Sequence, residues 1–290
     1  AEAVVSDGGV DLGVVVGYVD GSAVLTRLTG TGVEAGWHVI PPGVGEREVV
    51  PMASVDGRGS VSRLWITGVD PDDLLVVDDG DLITGALSAT AAAYASGVTR
   101  WALDAAVAYA KVRTQFGAPI GSFQAVKHIC ADMLCRSEQV TAAAWDLARA
   151  VDDALAAPPG ADAGESVRDQ LAFSRLATDV LIASLPVATA EDCIQVLGGI
   201  GFTFEHDAHL YLRAALSMRA ATAAASAQRE HLGRLGMLGG RRRFELDISS
   251  VEHRRDAIRA EIAEIAAVAP EERRQLLAES GYLTPHWPPP

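Results

Sequence analysis

Hydrophobic and polar positions along the chain change their period twice, and each change marks a new kind of structure. From Val4 to about Asp78 the apolar residues come in short runs, such as Val14–Val16 and Leu74–Val77, separated by glycine, aspartate and proline. Short apolar runs bounded by turn formers predict short β-strands. From about Leu82 to Leu238 the text becomes rich in alanine and leucine and poor in proline. Long helices follow, divided at Gly117-Ala118-Pro119, at Pro158-Pro159-Gly160 and at Gly198–Gly201. In the second of these helices Val126, Ile129, Cys130, Met133 and Leu134 repeat at the spacing of one buried face, while Lys127, Asp132 and Arg136 point elsewhere.

Beyond Gly239-Gly240 the pattern changes again. Arg241–Arg243 read as a linker, and Ser249 followed by Glu252 has capping-box spacing. Ile258, Ile262, Ile265 and Val268 then stripe a helix whose other positions carry charge. Pro270-Glu271-Glu272 opens a further short helix that Gly281 closes, and Pro285–Pro290 is predicted to be extended. The division expected is a partial β domain over 1–80, a helical bundle over 81–238, and a linker with the first helices of another unit over 239–290. The apolar ending at Trp287 and the opening inside β text are the marks of a partial unit.

With 290 residues, 49% of them hydrophobic, the chain can bury a sizeable core. A formal net charge of -14 argues against nucleic acid and anionic membranes as partners. No apolar run is read as crossing a bilayer and no signal peptide follows Ala1, so the cytoplasm is the default location. Cys130, Cys135 and Cys193 lack paired spacing and are expected to be buried free thiols of a reducing compartment. His206 and His209 have no cysteine or acidic cluster to complete a tetrahedral set, and no metal is predicted.

Two segments carry residues a helix does not need. In the first, Arg113 offers a planar fork of donors suited to a pyrophosphate, Phe116 a flat apolar face for a ring, and Gln124 an amide that both donates and accepts. Gly117 and Pro119 turn the chain between them; a plain helix–helix corner with a solvated arginine and a core phenylalanine would read the same. In the second, Gln195 precedes Gly198, Gly199 and Gly201, which let backbone approach a ligand and expose amides to phosphate oxygens. A glycine-rich break between helices is the plainer reading. The spacing is not that of a dinucleotide-binding G-x-G-x-x-G turn, and no strand precedes it.

Taken together, Arg-x-x-Phe-Gly with its following Gln and Gln-x-x-Gly-Gly-x-Gly resemble the C-terminal helical domain of the acyl-CoA dehydrogenase family. The likeness extends through Trp101–Asp104, Phe123–His128 and Glu205–Arg213, and covers most of Leu82–Leu238. It implies a mainly α fold, an acyl-CoA dehydrogenase-like helical bundle preceded by a partial β domain. It implies FAD as cofactor, with Arg113, Phe116 and Gln124 on its pyrophosphate and adenine side and Gln195, Gly198 and Gly199 lining the same dinucleotide. Such a site completes a neighbouring subunit's flavin, so a partner dehydrogenase half or subunit is implied, in a dimer or a dimer of dimers.

The reaction implied is α,β-dehydrogenation of an acyl-CoA, with an electron-transfer flavoprotein-type acceptor. A carboxylate takes the α proton while the flavin accepts the β hydride, in a pocket that excludes water. Here the chain departs from the family, whose base falls at Thr222, or in a second placement near Leu87; neither can take a proton. Asp79, Asp81 and Glu230 are nearby acids that read as solvated. No catalytic residue is expected within these residues. Trp65-Ile66-Thr67 copies a short string used beside the flavin, but too close to Arg113 to be equivalent.

Glu252–Arg259 and Glu272–Trp287 resemble the family's N-terminal helices, so the order is that of a fused two-unit dehydrogenase. That type is similar to actinobacterial enzymes acting on sterol side-chain CoA esters. Two other readings stand beside this one: a helical assembly module without cofactor, and a self-sufficient enzyme using Asp81 or Glu230.

Overall fold

The computed structural model describes all residues except 1, 7–8, 17–18, 31, 58–60, 158–162, 223–224, 243–247 and 284–290. The Pro158–Gly160 break, Arg243 and the extended ending Pro285–Pro290 therefore lie outside the described residues. The chain divides into two compact units, Ala1–Arg242 and Arg243–Pro290.

The first unit opens with strands β1 (Glu2–Ser6), β2 (Gly9–Val16), β3 (Val24–Gly30), β4 (Gly36–Ile40), β5 (Glu46–Met52), β6 (Val61–Thr67) and β7 (Leu75–Val77). They form a sheet in the order β5-β6-β2-β1-β3-β4-β7, antiparallel except where β1 runs parallel to β3. In β3, Val24, Thr26 and Leu28 are buried while Leu25 and Arg27 are exposed, the period of a half-buried strand. Leu28, Ile40, Leu64 and Ile66 form the centre of its core. Trp65, inside the short copied string, is half-buried in β6 with the Arg63 guanidinium 4.3 Å from its ring centroid.

Helices α1 (Gly80–Val112), α2 (Gln124–Ala156), α3 (Ala163–Ile182), α4 (Leu185–Leu197), α5 (Ala208–Ala221) and α6 (Ala225–Met237) complete the unit. Along α1 the residues Ala92, Ala95, Val98, Thr99, Ala102, Leu103, Ala106 and Ala110 are buried, a helical stripe of mostly small side chains. Small residues there let α2, α3, α4 and α5 pack against it. The sequence reads α3 and α4 as one helix, but the structure breaks it at Ala183-Ser184, where Pro186 in the first turn of α4 cannot continue a ladder. Residues 167–202 also correct the reading that no apolar run suits a membrane. This stretch is long and apolar enough to cross a membrane by composition, yet more than half of its most apolar part is buried, because it is the centre of the bundle.

Four further expectations change. Leu134 is 45% exposed, because the buried face of α2 runs through Met133, Ser137, Val140, Ala144, Leu147 and Ala150 instead. Cys193 is buried, but Cys130 is half-buried and Cys135 exposed. Arg242 is not linker: its guanidinium donates to Asp146 at 2.7 Å, Gln170 at 3.2 Å and Asp153 at 3.4 Å, holding α2 to α3. The second unit contains α7 (Arg255–Ala267) and α8 (Pro270–Glu279) after a 3-10 turn at Glu252–Arg254. No side chain caps α7, whose N-cap is Arg254, so the Ser249–Glu252 capping box does not form; Glu252 instead pairs with Arg255 at 2.8 Å.

Candidate functional site

The end of α1 becomes a site because the chain must reverse there in very few residues. Arg113 caps α1, donating its N–H to Tyr109 O at 2.9 Å and accepting from Ile120 N at 2.8 Å. Between those bonds lies a minimal hairpin of β8 (Thr114–Gln115) and β9 (Ala118–Pro119), with Phe116 and Gly117 as its two-residue loop. Their φ values are 52° and 79°, as a type I′ turn requires at both positions. Glycine takes this conformation freely, but phenylalanine pays about 1 to 2 kcal/mol for it. Burial recovers little of that cost, since Phe116 is 94% exposed, with the edge of Phe123 6.2 Å away between ring centroids.

Below the hairpin Gly121 is obligatory, because a Cβ there would lie 2.9 Å from Ala110 O. Gln124 then begins α2, whose N-cap, Phe123, supplies no side-chain bond, so first-turn amides face outward beside an exposed amide side chain. The exposed Arg113 guanidinium has no ion-pair partner among the described residues. Such an arrangement suits a phosphate group well.

The second segment ends α4. Gly198 has φ 62° and ψ -135°, a combination practically restricted to glycine, and starts a 3-10 turn over Gly198–Phe202. Its three glycines have different causes. Gly198 makes the turn, Gly199 leaves open space where a side chain would stand, and Gly201 is buried with its missing Cβ 2.8 Å from Ile194 O. Gln195 is exposed one turn earlier. A single apolar cluster underlies both segments, joining Ala110, Ile120 and Val126 to Ile194, Leu197 and Ala208. All six expected contacts, Arg113, Phe116, Gln124, Gln195, Gly198 and Gly199, therefore decorate the same end of the bundle. Phe202 and Phe204, at 79% and 85% exposure, extend this face and are residues the sequence reading passed over. Their signal was available: aromatic side chains flanking a glycine turn.

At the other end of α1, Leu87 and Thr222 line one cavity of about 340 Å³. The two alternative positions for a base are thus brought together, and neither is acidic. The cavity does hold a carboxylate that was missed, Asp179 on α3, paired with Arg175 at 3.2 Å. Burial pushes its carboxyl above the usual range, offset in part by the Ser88 hydroxyl and the Arg175 guanidinium. Asp179 was hidden because a lone acid in an apolar helix gives no sign of which neighbours face it.

The acids that were considered have structural work. Asp79 caps α1 by accepting from Leu82 N at 3.1 Å and pairs with Arg168 at 3.0 Å. Glu230 pairs with Arg234 on the exposed face of α6. Asp81 lines a separate cavity beside Trp37 and His38. His206 Nδ1 accepts from Ala208 N at 3.1 Å, and His209 Nδ1 lies 2.9 Å from His206 O, so both turn inward to the start of α5. Among the described residues no group of histidine, cysteine and acidic side chains could hold a metal ion.

One end of the helical bundle thus presents exposed aromatic rings, an exposed arginine and glycine backbone outward. The family profile described as "Acyl-CoA dehydrogenase, C-terminal domain" matches residues 87–236, and the chain belongs to the acyl-CoA dehydrogenase family, whose members are FAD-dependent oxidoreductases. It is 41% identical over 279 residues to acyl-CoA dehydrogenase FadE34 of Mycobacterium tuberculosis, covering 96% of this chain and 37% of that one. With acyl-CoA dehydrogenase IpdE2 of the same organism it shares 41% identity over 166 residues, covering 57% of this chain and 44% of the relative. The chain thus spans well under half the length of these curated relatives. The ChsE4-ChsE5 complex from Mycobacterium tuberculosis has the same fold, with a TM-score of 0.59 and 25% identity over 80% of this chain and 61% of that one. The Tcur3481-Tcur3483 steroid acyl-CoA dehydrogenase variant aligns with a TM-score of 0.66 over 82% and 62%, at 23% identity.

Proposed function

We propose that this segment supplies the FAD contacts and subunit interface of an acyl-CoA dehydrogenase whose catalytic carboxylate lies outside the segment. The observation that carries the reading is Phe116, strained and 94% exposed beside an exposed arginine that has no ion-pair partner among the described residues. Arg113 and the first turn of α2 would hold the pyrophosphate, Phe116 would cover a ring face, and Gln124 and Gln195 would orient the dinucleotide by hydrogen bonds. Gly198 and Gly199 would let backbone close on it. FAD, when bound, supplies the hydride acceptor for the β carbon.

Distance supports a shared site. Leu87 lies near the start of α1 and Arg113 at its end, roughly 40 Å apart at about 1.5 Å per residue. A flavin held at Arg113 is therefore not the one beside this chain's own Leu87 and Thr222, and a partner half or subunit is required to join contacts and chemistry. In this reading 81–238 is the flavin-contacting domain, 1–80 is part of the β domain, and 239–290 holds the first helices of a further unit. The alignment with FadE34 over 96% of the chain, which runs through both compact units, is in keeping with that order. A sterol side-chain CoA ester as substrate, an electron-transfer flavoprotein-type acceptor and a cytoplasmic location complete the proposal and rest on the family resemblance.

The test is the flavin absorbance of the purified full-length protein and its Arg113→Ala variant. Yellow protein that loses flavin in the variant is the expected outcome. Colourless protein would favour a cofactor-free assembly module, and unchanged flavin and turnover would remove Arg113 from the site.

A further inference from the structure

The end of α6 gains little from apolar packing. Gly233, Arg234 and Gly236 are exposed, and Met237 and Leu238 are exposed to 89% and 86%. The chain then turns, with Gly239 at φ 92° and Gly240 N donating to Leu235 O at 2.8 Å. Two residues further on, Arg242 enters the first unit with its side chain 8% exposed. It meets two prepared helix faces. Asp146 and Asp153 stand two turns apart on α2, and Gln170 and Ser174 one turn apart on α3. Arg242 Nε donates to Asp146 at 2.7 Å, Nη1 to Gln170 at 3.2 Å and Nη2 to Asp153 at 3.4 Å, while Ser174 Oγ donates to Asp146 at 2.6 Å.

We propose that Arg242 is a latch, which ties the exposed end of α6 back to α2 and α3 and fixes the register in which the chain leaves that helix. Each guanidinium nitrogen has its own acceptor, a geometry that a lysine ammonium cannot reproduce. A buried ion cluster adds little net stability over apolar side chains of the same volume, but it is selective about what fits. Selection matters at this place, because Arg241 and Arg243 flank the latch and a slip of one residue would offer the slot a different arginine. Arg241 is exposed. The first compact unit ends at Arg242, so the latch also sets the point from which the chain continues. None of this depends on the flavin reading.

Hydrogen exchange of the full-length protein, read by mass spectrometry, tests the latch. In Arg242→Ala the amides of Arg229–Leu238 should exchange about ten-fold faster or more, while those of α4 keep their protection. Millimolar guanidinium should restore most of the lost protection by filling the vacated slot, and methylammonium should not. Arg242→Lys should resemble Arg242→Ala, and the double variant Arg241→Ser with Arg243→Ser should resemble the unaltered protein. Unchanged protection in Arg242→Ala would show that α6 needs no latch or that a flanking arginine replaces it, and either overturns the proposal. Faster exchange of α4 by the same factor would reduce the cluster to general packing and overturn it as well. So would equal rescue by methylammonium, full protection in Arg242→Lys, or loss of protection in the flanking double variant.

Discussion

The two ends of α1 solve opposite problems. At its C-terminal end the chain holds a phenyl ring outside the protein at a conformational cost, with an exposed arginine that has no ion-pair partner among the described residues and a helix start that no side chain caps. At its N-terminal end it takes an acid and an arginine out of water, pairs them with each other, and encloses them with aliphatic side chains. The first end is poor in internal stabilisation, the second depends on it. An outward end of this kind is recognised by the internal interactions it forgoes, and a cavity by those it must make to exist.

That contrast is broken most directly at Arg175. Arg175→Ala would strand the buried Asp179 carboxylate and should lower the unfolding free energy by about 3 kcal/mol, measured by urea denaturation, with flavin content per folded chain unchanged. A loss of flavin in proportion would mean that the two ends are coupled. Arg113→Ala should behave in the opposite way. Flavin affinity in the full-length protein is expected to weaken by about 2 kcal/mol, roughly thirty-fold, while the denaturation midpoint stays put.

Phe116→Gly sharpens the difference within one side chain. Relieving the positive φ should stabilise the fold by up to about 1 kcal/mol, since the ring buries nothing in the chain, while flavin binding weakens. A destabilised variant would place Phe116 in the folding core instead. The pH dependence follows from Asp179. Its carboxyl is raised in the folded protein, so the folded state holds the proton more tightly than the unfolded one, and the stability this confers is present below the ordinary carboxylate value of about 4 and lost as pH rises through the raised one. Asp179→Asn should flatten that part of the melting-temperature profile, and an unaltered slope would assign it to another group.

The smallest effect is chemical. Burial pushes the Cys193 thiol up to about 12 and also raises that of Cys130, where Asp192 adds to the effect. At mildly alkaline pH iodoacetamide should label the exposed Cys135 and spare Cys193 in the folded protein, as read by mass spectrometry. Labelling of Cys193 at the rate of Cys135 would show that the apolar cluster beneath the hairpin opens readily.

The outward end was legible in the amino-acid string because its parts are neighbours in it. Arg113, Phe116, Gly117 and Gln124 lie within one turn-and-helix segment, and Gln195 to Gly201 within another, so turn chemistry and side-chain type disclose them. Even there the sequence left a choice between a helix corner and a ligand surface. Exposure of Phe116 at a positive φ is a property of the folded chain that favours the surface. The capping box at Ser249 failed for the converse reason: its spacing was right, but a 3-10 turn occupies Glu252–Arg254 and the α-helix begins only at Arg255. The role of Arg242 was equally hidden, since its partners Asp146, Asp153 and Gln170 lie on helices far back in the sequence.

Local patterning was enough to separate a β region from a helical one, to place helices α1 and α2, and to single out two segments by their glycine turns and polar residue types, because periodicity, turn formers and residue type act over a few neighbouring positions. The cavity was beyond its reach. Leu87, Asp179, Thr222 and Gln228 come from three helices and the end of a fourth, and whether an acid is paired or an amide left unpartnered depends on burial and on which side chains face it. Those are decided only when the helices pack, since desolvation and hydrogen-bond satisfaction are properties of the assembled interior and not of any stretch of chain.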